Sequence, residues 1–269
     1  MIRKSVVSGH FYPANPNALK KMIQGFAPKT PVKKEDVIAC ILPHAGYIYS
    51  GKVASAVLHF INIPSTCVII GPNHTGNGAM ASIMTEGEWE TPLGNVPIDT
   101  QLAKAILKNS RYLEDDDIAH AEEHSIEVEL PLIQEISQKP FSFVPITLAS
   151  GDDLVYKDTA DAVANAIKKY AKPALIIASS DMTHYEPQDQ AAKKDEEAIK
   201  AILKLDDKEL ITRVDELGIS MCGYVPAAVA IRAAVALGAG KAQLVAYQTS
   251  GDASGDYSSV VGYAGIVIG

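Results

Sequence analysis

Cysteine is scarce in this chain: only Cys40, Cys67 and Cys222 are present, with no CxxC pair among them. An odd count without metal-type spacing argues against a disulfide framework and for a reducing compartment. Basic tracts are missing too. The 24 Lys and Arg are outnumbered by 32 Asp and Glu, giving a net charge of −8, so there is no electrostatic case for nucleic acid or an anionic membrane as partner. A small polar or metal-bound ligand fits that balance better. No apolar run approaches the roughly 20 residues needed to span a bilayer. The opening MIRKSVVSGHFYPANP meets His, Pro and Asn before any signal-type apolar region develops, and a cytoplasmic location is expected. Heptads and low-complexity tracts are absent as well.

What the chain does contain is apolar runs alternating with amphipathic stretches. Strands are predicted at 37–42, 67–70, 79–84, 141–146, 174–178, 243–247 and 260–268. Helices are predicted at 14–26, 51–61, 100–109, 125–137, 153–170, 188–205, 208–217 and 226–237, with Pro131 expected to kink the fourth by removing a ladder donor. Runs such as CVII and ALIIA are continuously apolar rather than alternating, as in strands covered on both faces. The pattern predicts an α/β fold: one domain over residues 1–269, a three-layer α/β/α sandwich around a mostly parallel, mixed sheet. The acidic cluster EDDD at 114–117 reads as a solvated loop.

Three apolar runs share an ending. VIACILPH stops at His44, TCVIIGPNH at His74 and ALIIASSDMTH at His184, each through a short turn rich in Pro, Gly or Ser. In open α/β sheets, ligands sit in the crevice beyond the carboxyl ends of the strands. One strand-end histidine alone reads as a hydrogen-bonded structural residue; three at equivalent positions read as a shared site. His44 and His74 are separated by one helix pattern, the size of a βαβ unit, so their strands are expected to be neighbours and their imidazoles to share a metal. His59 reads as packing and His120 as solvated. His10 and His124 lie beside structural breakpoints, where a supporting or substrate-facing role is open. Cys40 and Cys67 fall inside apolar runs and read as core. Cys222 lies in GISMCGYVP, just before a helix pattern, where a cation or helix N-terminus favours thiolate; spacing alone leaves open whether it is a ligand. The glycines of GPNHTGNGAM read as a tight turn, and the loop before the last strand is expected to cover the cleft mouth with Asp252 or Tyr257.

The strings GHFYP, PHAGYIYSG, GPNH, EWETPLGNVPID, EEHSIEVELP, SSDMTHY and MCGYVP occur in this order along essentially the whole chain, and together they resemble the Memo family. The resemblance implies a fold similar to the class III extradiol dioxygenases, which hold non-haem Fe(II) at strand ends. It implies that His44, His74 and Cys222 are metal ligands, that His184 is the acid/base histidine, and that Asp181 lies near the metal or orients His184. Where those dioxygenases use a carboxylate this chain has Cys222, a softer ligand that brings Cu or Zn into contention beside Fe(II). Three functions are therefore carried: a mononuclear iron oxidoreductase of dioxygenase type, a Zn-dependent hydrolase, and a non-catalytic adaptor or redox-control protein. The family resemblance also implies a peptide ligand for the adaptor reading, and radical-SAM and AMMECR-type protein partners.

Overall fold

Runs such as 67–70 and 175–178 have no polar face, so they are stable only where both sides of the sheet are covered, and in the computed structural model they form its centre. The structure describes residues 1–149 and 151–269. In chain order the elements are β1 (Ile2–Arg3), α1 (Pro16–Gly25), β2 (Ala39–Leu42), α2 (Tyr47–Phe60), β3 (Thr66–Pro72), β4 (Ala81–Ile83), β5 (Glu88–Trp89), β6 (Val96–Pro97), α3 (Thr100–Asn109), β7 (Glu114–Asp115), α4 (Ile118–Ala121) and α5 (Glu129–Ser137). There follow β8 (Ser142–Leu148), α6 (Asp153–Lys169), β9 (Leu175–Ser179), β10 (His184–Glu186), α7 (Gln188–Leu203), α8 (Asp207–Glu216), α9 (Tyr224–Ala236), β11 (Ala242–Thr249), α10 (Gly251–Ser254) and β12 (Val260–Ile268).

The main sheet runs β10-β12-β2-β9-β3-β8-β4-β7, with β11 also paired to β12. Its centre, β2-β9-β3-β8, is parallel, and antiparallel pairings enter at β10, β11, β12 and β4. Every residue of β2, β3 and β9 is buried. Helix α2, with α5 beside it and α1 packed on α5, covers one face; α9, flanked by α6 and α8, covers the other. One apolar cluster runs from Tyr12 to Ile268, and the expected mixed α/β sandwich is what the chain forms.

Three local expectations fail for identifiable reasons. Strands β2 and β3 are not neighbours, because β9 lies between them and pairs with both; a single crossover helix does not forbid a later strand from taking the middle place. Pro131 does not kink a helix, because α5 begins at Glu129 and the proline falls in the first turn, where its missing N–H would be unpaired anyway. The acidic cluster is not a free loop: Glu114 and Asp115 pair with β4, Asp115 accepts from Thr85, and Asp116 accepts from the Ala79 N–H.

His120 is a fourth departure. Instead of being solvated it is fully buried, edge-on to Trp89 at 5.8 Å. Burial, aided by the Arg3 guanidinium, depresses its pKa to about 3. The folded state thus resists a proton that the unfolded chain accepts near pH 6.5, so stability is full above that pH and falls as pH drops toward 3. His120→Leu should flatten this acid limb: the urea midpoint should fall between pH 7 and pH 4 in the wild type and fall measurably less in the variant.

Candidate metal centre

The carboxyl ends of β2, β3 and β9 open on one side of the sheet, and each passes within a few residues to a chemically active side chain. His44 follows β2 through Pro43, His74 follows β3 through Asn73, and Asp181 follows β9 through Ser180. The ring centroids of His44 and His74 are 5.2 Å apart although a whole strand separates their parents. His124, from the turn before α5, joins them at 5.6 Å from His44 and 4.7 Å from His74. Cys222, two residues before α9, places Sγ 3.3 Å from His44 Nε2 and accepts the Asp181 N–H at 3.3 Å. One ligand atom from each of His44, His74 and Cys222 lies within 4.8 Å of the others, and His74, Glu123 and His124 form a second group at the same spacing.

The inner nitrogen of each ligand-type imidazole is held from behind. His74 Nδ1 lies 2.9 Å from Glu123 Oε1, and the same carboxylate accepts the backbone N–H of His74 at 2.5 Å and of Ser125 at 2.8 Å. Burial alone would raise the Glu123 pKa, but the hydrogen bond and charge of His74, with the Ser125 N–H, outweigh it and bring it to about 2. A carboxylate behind an imidazole fixes ring orientation and leaves Nε2 for a metal. His44 Nδ1 lies 2.8 Å from Ser179 Oγ. Burial first, then the neighbouring His124 and His74, push the His44 pKa well below the ordinary range, so the ring is neutral, the form that binds metal. The Cys222 thiol is raised by burial and by Asp181; without a cation it keeps its proton. Two imidazoles with inner nitrogens engaged, facing a thiol that only a positive charge would ionise, suit a first-row transition metal with N and S preference.

In front of these groups is a cleft of about 650 Å³, lined in part by His44, His74, His124, Asp181 and His184. The described residues that line it include no Lys or Arg. His184 opens β10, where its N–H donates to Ser220 Oγ at 2.7 Å and its Nδ1 lies 2.8 Å from the Ser220 carbonyl oxygen. A carbonyl only accepts, so Nδ1 carries a proton. Asp181 does not orient His184. Its Oδ1 accepts the N–H groups of His44 at 2.8 Å and Ala45 at 3.3 Å, which fixes the turn carrying His44. Burial raises the Asp181 pKa to about 6, against the pull of those hydrogen bonds.

Three other expectations shift by a few residues. His10 is exposed and outside the cleft; its neighbour Phe11 forms part of the wall and packs edge-on against His124 at 4.9 Å. Phe11 is held there because buried Glu127 accepts from Arg3, from the Val6 and Val7 N–H groups and from Tyr12 Oη at 2.6 Å. The loop before β12 does reach the cleft, but through Ser254, Asp256 and Ser259 rather than Asp252 or Tyr257; Asp252 accepts the Thr249 N–H instead. The tight-turn reading shifts for Gly71, which lies within β3, where a Cβ would clash with Ser125, whose hydroxyl donates to the Pro72 carbonyl. Glu123 and Ser179 escape sequence reasoning, and the one available signal is a glutamate adjoining His124 in EEHS.

A family profile described as Memo-like protein matches residues 3–267. The chain belongs to the Memo family. It is 44% identical to the MEMO1 family protein of Methanopyrus kandleri over 99% of both chains. Identity is 43% to the MEMO1 family protein of Aquifex aeolicus, covering 99% of this chain and 98% of that one, and 41% to that of Methanocaldococcus jannaschii, covering 99% of each. Membership extends to both ends of the cleft-forming sequence, since Phe11 and Tyr263 fall inside the matched span.

Proposed function

We propose that this Memo protein is a mononuclear metal oxidoreductase of the extradiol-dioxygenase type, with Fe(II) held by His44, His74 and Cys222. The observation that supports it most directly is the convergence of those three donors at the floor of a cleft, two of them braced by Glu123 and Ser179. When bound, the metal would supply a redox-active Lewis acid that brings substrate and O₂ together. The remaining chemistry belongs to the chain. His184, with Nδ1 engaged by the Ser220 carbonyl, takes a proton from the substrate at Nε2 and later returns one. Asp181 holds the His44 turn and, with a pKa near 6, exchanges a proton close to neutral pH. Phe11, Tyr49 and Tyr263 offer apolar ring surface to a flat, neutral substrate and displace water.

A zinc hydrolase would use the same ligands, and an adaptor would use the cleft without turnover. A cleft lining without Lys or Arg gives an anionic phosphopeptide little to hold, which favours the small-molecule reading. The deciding experiment is metal analysis of protein purified without added metal, followed by anaerobic Fe(II) loading and O₂-uptake assays across catechols and related diols. Iron retention with substrate-dependent O₂ consumption is expected. Stoichiometric zinc as isolated, or no O₂ uptake by folded, iron-loaded protein, would overturn the proposal.

A further inference from the structure

Glu129 opens helix α5 at the back of the metal centre, fully buried. Among the described residues no cation and no N–H group reaches its carboxyl: Oε2 has no partner and Oε1 has one, Ser179 Oγ at 3.1 Å. The Ser179 hydroxyl has three neighbours, and it has only one proton to give. It lies 2.7 Å from the Ser125 carbonyl oxygen. Two oxygens cannot sit that close in a buried place without a proton between them, and a carbonyl has none to offer, so Ser179 donates to Ser125. Both other neighbours must then donate to Ser179. His44 does so through Nδ1–H at 2.8 Å, and Glu129 does so only as a carboxylic acid.

We propose that Glu129 is a positioning residue of the metal centre, a neutral acid whose O–H anchors Ser179 so that Ser179 receives the His44 Nδ1–H and His44 presents its Nε2 lone pair to the metal. The metal part of this role rests on the function proposed above; the protonation of Glu129 does not. The surroundings agree. Burial and the nearby Asp181 raise the Glu129 pKa well above the carboxyl range. An isolated buried carboxylate without donors is among the most costly groups a fold can hold, whereas a neutral acid needs only its hydrogen bond. The arrangement extends as an ordered chain: Cys222 Sγ, His44 Nε2, His44 Nδ1, Ser179 Oγ, then Glu129.

Glutamine reproduces the donor and leucine removes it, which separates hydrogen bonding from packing. Infrared difference spectra of metal-free protein at neutral pH, with glutamate carboxyl carbons isotopically labelled, should show a protonated-carboxyl C=O band that Glu129→Gln abolishes. Nitrogen-15 spectra of zinc-loaded protein should report His44 with Nδ1 protonated in both wild type and Glu129→Gln. Co(II) titrations should place Glu129→Gln within about threefold of wild type and Glu129→Leu about tenfold weaker, the lower end of the range for an outer partner of a metal ligand. Failure of the wild type to bind Co(II) would sink the metal reading alone. Absence of the carboxyl band, or a Glu129→Leu variant that binds as wild type does, would overturn the role of Glu129. Should Glu129→Leu fail to fold, the infrared comparison between wild type and Glu129→Gln still decides the protonation.

Discussion

Metal is expected to leave the protein when His74 is replaced by alanine, while the fold stays. His74 occupies an exposed loop beyond β3, so truncation removes no core packing; it takes one partner from buried Glu123, which keeps the N–H groups of residues 74 and 125, at a cost of about 1–3 kcal/mol. Its contribution to a metal would be large. Loss of an outer partner alone weakens metal binding by about 10- to 100-fold, and losing a ligand should exceed that, taking retained metal from near stoichiometric to background. Elemental analysis beside a thermal melt of the metal-free protein checks both halves. Stoichiometric metal in the variant would remove His74 from the site and with it the proposed centre.

The second large effect is expected at Gly223, the residue joining Cys222 to α9. A Cβ at this position would lie 2.3 Å from the Ser179 carbonyl oxygen and 2.5 Å from Ser180 Cβ. The carbonyl cannot retreat, because β9 is paired to β2 on one side and β3 on the other. Gly223→Ala must therefore push the Cys222 turn away from the sheet. Overpacking of this kind costs about 1–3 kcal/mol, or roughly 5–10 °C in Tm at the upper end for a chain of this size. Because the same displacement carries Sγ away from His44 Nε2, metal affinity should fall together with stability. A variant with wild-type melting and wild-type metal content would show that the turn has room that the structure denies.

How much of this was legible beforehand follows from the range over which each signal acts. The three strand-end histidines could be seen because an unbroken apolar run and the turn after it are local, and the last strand matches its expected bounds at Val260–Ile268. Two-residue strands such as β1, β5 and β6 carry no periodicity, so nothing in the sequence marks them. The bracing groups are hidden for another reason: Glu123 acts on His74 from 49 positions away and Ser179 on His44 from 135, and neither distance leaves a pattern. His10 and Phe11 show the finest limit. A breakpoint near the N-terminus could be located, but which of two adjacent side chains turns inward depends on how Glu127 gathers the segment.

The insertion of β9 between β2 and β3 has a temporal meaning. As the chain leaves the ribosome, His44 and His74 emerge early, yet the strand that spaces their parents is made about a hundred residues later and the sulfur later still. A nascent chain carries two of the three candidate donors without a frame to hold them, so loading of the proposed metal would belong to the finished polypeptide.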